Sequence, residues 1–243
     1  MEYTFGIEGL DAAIGPIPPG TNIMLIGPPM IGKSFLSRTF MFNGLKDNEA
    51  GIYVSTKETG IKIQEWYEKS GMNLSEFEDR YGIVDCLSKT LRMDVGETPK
   101  NVVEVASAVD MTGISIGVNQ FLDDFWRTKQ IKKVRVVVES LSNLLMYSNL
   151  QTVFRFLHVF TARLKAMDAV GVYTVEEGMH DPATITTLKQ LVQGIIEMKE
   201  ENNEKCLKVT GLTPAPTDWC GYQIDANKID VSPPVTKYKQ TFY

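Results

Sequence analysis

The chain is short of the residues that build disulfide scaffolds and metal centres: its 243 residues include 3 cysteines and 2 histidines. Cys86, Cys206 and Cys220 show no CxxC spacing and no His partner nearby. That argues against a disulfide framework or a zinc site, and fits reduced thiols in a cytoplasm. Long apolar runs are missing too. No stretch reaches the roughly 18 apolar residues that a membrane span requires. The opening MEYTFGIEGLDAAIG has no basic leader and no continuous apolar run, so no signal peptide is expected. Positive charge is also in deficit, with 25 Lys and Arg against 30 Asp and Glu and a formal net charge of −5. Broad nucleic-acid binding needs a dominant positive field, so DNA is a partner that the net charge does not favour. The basic stretch Lys129, Lys132, Lys133 and Arg135 reads as a solvated helix end ahead of a buried strand.

What is present suits one α/β domain. Hydrophobic residues make up 43% of the chain and charged residues 23%, enough for a sizeable core. Short apolar runs alternate with longer amphipathic stretches, the pattern of βαβ units. Strands are expected at 22–27, 50–56, 81–85, 134–139 and 170–177, with helices at about 32–45, 61–70 and 150–167. The run 134–138 is β-branched and apolar apart from Arg135, which places it at the centre of a parallel sheet. The last third changes character: 194–198, 205–211 and 222–229 read as strands joined by polar turns, an antiparallel extension of the sheet. Residues 87–117 show no clear pattern. One domain is expected over 1–232, followed by a loose tail at 233–243.

The chemistry concentrates in GPPMIGKS, residues 27–34. Gly27, Gly32, Lys33 and Ser34 satisfy the GxxxxGK[ST] pattern in full, with an apolar strand directly before it and a helix directly after. Glycines let the backbone curl until successive N–H groups face phosphate oxygens, and the helix presents its positive end. Gly27, Pro28, Pro29, Met30, Ile31, Gly32, Lys33, Ser34 and Phe35 are therefore the expected nucleotide contacts. Lys33 is expected to neutralise the β- and γ-phosphates of ATP, and Ser34 to complete part of a Mg²⁺ shell. The partner carboxylate belongs at the end of a later buried strand, where Glu139 stands. A carboxylate emerging from so apolar a strand is costly unless a cation or partner meets it. Glu176 and Glu177 end the next strand, and a lysine or Mg²⁺ is needed if either is to face a phosphate. His158, His180, Trp66, Trp126 and Trp219 read as packing or turn residues.

Taken in order, these segments resemble the RecA-like ATPases of the KaiC type, including archaeal RadA paralogues. The resemblance spans nearly the whole chain, through GIEGLDAAIG at 6–15, IPPGTNIMLIGPPMIGKS at 17–34 and GIYVSTKET at 51–59. It continues through VVVESLSNLL at 136–145, GVYTVEE at 171–177 and LVQGIIEM at 191–198. It implies a RecA-like P-loop core with ATP at the carboxyl ends of the strands, and commonly hydrolysis. In such proteins a Glu-Glu pair after the second strand supplies the general base. The pair here is Lys57-Glu58, so the resemblance carries only Glu58 over as a catalytic residue. Rings of this type also place a Lys-x-Arg-Gly segment across the subunit boundary. The matching segment KCLKVTGLT, 205–213, has Val209 and Gly211 there, with Lys208 adjacent. The resemblance thus implies a slow or conditional Mg-dependent ATPase with a regulatory or recombination-accessory role, acting on a protein partner or as a homo-oligomer. A non-hydrolysing ATP-dependent scaffold and a single-stranded-DNA-binding paralogue are the alternatives.

Overall fold

A computed structural model describes residues 2–91, 98–225 and 227–232. The expected tail at 233–243 lies outside the described residues. In chain order the elements are α1 (Glu8–Ile14), β1 (Asn22–Gly27), α2 (Lys33–Lys46), β2 (Ala50–Ser55) and α3 (Gly60–Lys69). Then come β3 (Tyr81–Asp85), α4 (Ser88–Leu91), β4 (Val102–Glu104), α5 (Met111–Asp123), β5 (Val134–Glu139), α6 (Leu141–Tyr147) and α7 (Leu150–Ala166). The last third holds β6 (Val170–Glu176), α8 (Pro182–Lys189), β7 (Gly194–Glu201), β8 (Glu204–Thr210), β9 (Cys220–Asp225) and β10 (Lys228–Val231).

The strands form one sheet in the order β10-β9-β8-β7-β1-β6-β5-β2-β3-β4. From β7 to β4 all neighbours are parallel, while β7, β8, β9 and β10 pair antiparallel. Every residue of β1, β2, β5 and β6 is buried, as a parallel sheet covered on both faces requires. One face packs α2 and α3 through Leu36, Phe40, Ile63 and Tyr67 against Leu25, Tyr53 and Val137. The opposite face packs α5, α6 and α7 through Val118, Leu144, Leu157 and Phe160 against Ile52, Val136 and Val175. Side-chain caps start several helices where the sequence turns: Thr59 for α3, Asp110 for α5, Asn149 for α7, and Asp181 followed by Pro182 for α8. No helix among the described residues is long and apolar enough to cross a membrane.

Two expectations change, and described parts of 87–117 take a definite form. Residues 222–229 do not run as one strand: β9 and β10 pair antiparallel, with Asp225 opposite Lys228. Within 87–117 the chain builds α4, the edge strand β4 and the start of α5. Gly117 lets α5 lie close to the sheet, since a Cβ there would meet Val84 and Val103 side chains at 3.2 to 3.3 Å. Finally, Arg135 is not solvated but 0% exposed. Its Nε donates to Glu49 Oε2 at 2.5 Å and its Nη1 to the Phe40 carbonyl at 2.8 Å. A polar side chain on a strand covered on both faces must find such partners inside the protein.

Candidate phosphate-binding site

β1 stays fully buried to Gly27, and α2 begins at Lys33. Between them the backbone enters the left-handed region twice, at Met30 (φ 63) and Gly32 (φ 107). At Gly32 a side chain is excluded both by that conformation and by Ile224, whose Cδ1 a Cβ would strike. Met30 adopts its strained φ at the loop tip with its side chain 96% exposed. The loop is tied down from outside, since Tyr222 on β9 donates its hydroxyl hydrogen to the Ile31 carbonyl at 2.6 Å. Lys33 is 5% exposed, and its ammonium donates to the Gly27 and Pro28 carbonyls at 2.7 and 2.6 Å. Burial draws the Lys33 pKa below its ordinary value, only partly countered by Glu176.

Strand register then brings the carboxylates to the loop. Glu176 is the partner of Gly27 across β1 and β6, and Glu139 the partner of Ser55 across β2 and β5. Glu139 is 2% exposed and accepts hydrogen bonds from the Ser34 hydroxyl, the Tyr53 phenol and, at 3.3 Å, Arg38 Nη2. Burial, and then the Glu139 charge, push the Tyr53 pKa well up, so the phenol keeps its proton and donates. Arg38 lies inside the same cluster, 4.6 Å over the Trp66 ring, and its Nη2 also reaches Glu58 Oε1 at 2.6 Å. Glu58 is thus bound to a buried guanidinium, while its backbone N–H and carbonyl close a tight turn onto the Ser55 hydroxyl.

Glu176 stands between two lysines. Lys57 Nζ donates to its Oε1 at 2.6 Å, and Lys33 Nζ lies 2.8 Å from its Oε2. Each carboxylate oxygen thus faces its own ammonium, and the Lys33 ammonium is shared between Oε2 and the Gly27 and Pro28 carbonyls. Burial works to raise the Glu176 pKa, but the two ammoniums outweigh it and hold the carboxyl below its ordinary value. Glu177, the next residue, is exposed.

The expected nucleotide contacts therefore converge at the carboxyl end of β1, with Ser34 and Glu139 adjacent. A hydroxyl beside a carboxylate is the hard-oxygen pair that suits Mg²⁺, which takes its remaining ligands from water and phosphate. Among the described residues no group of three His, Cys, Asp or Glu forms a ready-made metal cage. The left-handed loop, the buried lysine and that oxygen pair fit a phosphate chain with its metal. Val209 is buried and Lys208 faces Glu197 across the β7–β8 ladder. His158 stacks on Phe154 with ring centroids 6.3 Å apart. His180 lines a cavity of about 670 Å³ with Ile185, Lys189 and Trp219. Arg38, Tyr53 and Asp85 escaped the sequence reading. Asp85 is a buried cap that accepts from the Gly60 N–H and the Ser88 hydroxyl, both at 2.6 Å. Its place at the end of β3 was the available signal.

The whole architecture matches that of a solved KaiC-like protein, PH0186 from Pyrococcus horikoshii OT3, with a TM-score of 0.73 over 96% of this chain and 99% of that one. At 15% identity the likeness concerns the fold. A UPF0273 protein of Sulfurisphaera tokodaii is 32% identical over 142 residues, 57% of this chain and 47% of that protein. The UPF0273 protein PH0284 of Pyrococcus horikoshii is 29% identical over 143 residues, 57% of this chain and 54% of the relative. The chain thus spans about half the length of these curated relatives. A family of unknown function, DUF7504, matches residues 20–198, so the chain belongs to that family and carries a KaiC-like RecA fold.

Proposed function

We propose that the chain binds ATP with Mg²⁺ through residues 27–34, and hydrolyses it slowly or only when a partner completes the site. The observation that carries this reading is the Ser34 hydroxyl bonded to buried Glu139 one residue beyond Lys33. Lys33 and the loop amides would take the phosphates. Ser34 would ligate the metal, and Glu139 would order a water on it. Bound Mg²⁺ would supply charge neutralisation between the β- and γ-phosphates.

Slow turnover follows from the groups around the terminal phosphate. Glu58, the carboxylate available as a base, is held by Arg38 at 2.6 Å, and an ammonium occupies position 57 beside it. The segment that would lend a neighbour a cation carries buried Val209 instead. A homo-oligomer or a protein partner, as in a regulatory or recombination-accessory role, would have to supply what is missing. The same features favour a second reading, an ATP-dependent scaffold that never hydrolyses its ligand. DNA binding finds less support. Lys129 pairs with Asp124, Lys132 lies over Trp126 and Lys133 pairs with Glu49, so the basic stretch is engaged within the chain.

Calorimetry with Mg–ATP tests the reading. Lys33→Ala is expected to weaken binding by about 10- to 100-fold, the worth of a charge-assisted contact. Equal affinity in wild type and variant would sink it. Single-turnover release of phosphate then separates slow ATPase from scaffold, since a scaffold retains intact ATP through the assay.

A further inference from the structure

Lys57 reaches across the carboxyl edge of the sheet, from the end of β2 to the end of β6, to bond a residue 119 positions away. It does so from a turn that the Ser55 hydroxyl pins at both ends, accepting from the Glu58 N–H at 3.1 Å and donating to the Glu58 carbonyl at 2.6 Å. Its target, Glu176, is itself fixed, because its backbone N–H donates to the Ser142 hydroxyl at 2.9 Å. Lys57 and Lys33 therefore bracket one carboxylate beside the loop. The Lys57 side chain is 31% exposed against 10% for Glu176 and 5% for Lys33, so it faces whatever enters from solvent.

Charge and hydrogen bonding make this cluster asymmetric. Two ammoniums face one carboxylate, one at each oxygen, and Lys33 alone is further tied to the Gly27 and Pro28 carbonyls. A purely structural ion pair needs one lysine; a second one on the same anion suits a more highly charged guest. Glu176 is a like-charged competitor of any phosphate that reaches Lys33, and Lys57 is positioned to neutralise both.

We infer that Lys57 is a specificity-determining cation for the terminal phosphate of a nucleoside triphosphate, and that Glu176 holds the two lysines in its absence. The inference rests on the proposal that residues 27–34 bind ATP, and deepens it. A diphosphate is served by the loop amides and Lys33. A triphosphate engages Lys57 as well and displaces it from Glu176. The chain then supplies in itself a cation at the γ-phosphate, and this cation cannot act as a base. The outcome is selective retention of the triphosphate.

The test compares Mg–ATP and Mg–ADP affinities by calorimetry for wild type, Lys33→Ala, Lys57→Met, Lys57→Arg and Glu176→Gln, with melting curves for each. Lys57→Met is expected to weaken ATP about tenfold or more and ADP little, the scale of one charge-assisted contact. Lys57→Arg should keep most of the preference, and Glu176→Gln should raise the ATP-to-ADP preference by removing the competing anion. A purely structural Lys57 predicts something different: a lower melting temperature with ATP and ADP affected alike. Equal weakening of both ligands, or no change in either, overturns the inference while Lys33-dependent binding leaves the nucleotide reading intact. If wild type binds neither nucleotide, both fall together. Should Lys57→Met not fold, Glu176→Gln decides the matter, and an unchanged ATP-to-ADP preference in that variant overturns the inference.

Discussion

Gly32 stands at φ 107, a backbone conformation that side chains rarely adopt, with Ile224 over the place a Cβ would take. Gly32→Ala is expected to cost about 1–3 kcal/mol of local strain. The strain should distort the loop more than the core, so nucleotide titration should show lost binding while circular dichroism stays native. Glu176 gives a pH prediction of defined sign. Its folded pKa lies below the ordinary value of 4.5, so the stability it contributes is present above that value. That contribution is lost as the pH falls through the lower, folded value. Melting temperatures of wild type should drop on that acid limb, and Glu176→Gln should flatten the drop. At this scale the pattern of Gly27, Gly32, Lys33 and Ser34 was legible, because it is written in a short run of residues. Arg38 was not: its bond to Glu139 joins residues 101 apart, and nothing local on α2 marks it.

The elements around the loop do separate jobs. β9 latches it through the Tyr222 hydroxyl, which is buried against the Ile31 carbonyl. Tyr222→Phe leaves that acceptor unpaired, at about 1–3 kcal/mol. ATP affinity should fall together with the melting temperature, a paired loss that calorimetry and thermal unfolding can read on one sample. A second cross-element tie joins the turn after α2 to β5 through Glu49 and Arg135, at 2% and 0% side-chain exposure. Glu49→Ala strands a buried guanidinium, and urea unfolding should register a loss of about 3–5 kcal/mol. Largely apolar runs made β1, β5 and β6 readable, since a strand covered on both faces tolerates little else. β4 has only three residues and α5 carries two glycines in its first half, so neither offers a periodic signal long enough to read.

For the molecule as a whole, binding to the folded state alone must raise its stability. At a ligand concentration of about 100 times Kd the gain is about 2.7 kcal/mol. For a domain of this size each kcal/mol moves Tm by about 2–4 °C, so saturating Mg–ATP should raise Tm by about 5–10 °C. ADP should raise it less if Lys57 reads the terminal phosphate. A melting curve that ignores Mg–ATP at that concentration contradicts the proposed function directly. The sheet order sets which strand ends meet: β1 lies between β6 and β7, and β5 between β6 and β2. The four parallel strands β1, β2, β5 and β6 therefore deliver their carboxyl ends to one edge, where Gly27, Ser55, Glu139 and Glu176 fall within adjoining register pairs.

The sequence by itself determined the α/β class, the parallel centre, the antiparallel extension and the loop at residues 27–34, because each depends on local periodicity or adjacent residues. Only the tertiary structure decided which charges meet. Glu58 pairs with Arg38, Glu176 with Lys33 and Lys57, and Arg135 with Glu49. Those pairings are set by strand order and register, which are properties of the folded sheet. That geometry is what gives Lys57, part-exposed at the edge of the sheet, a specific partner in Glu176.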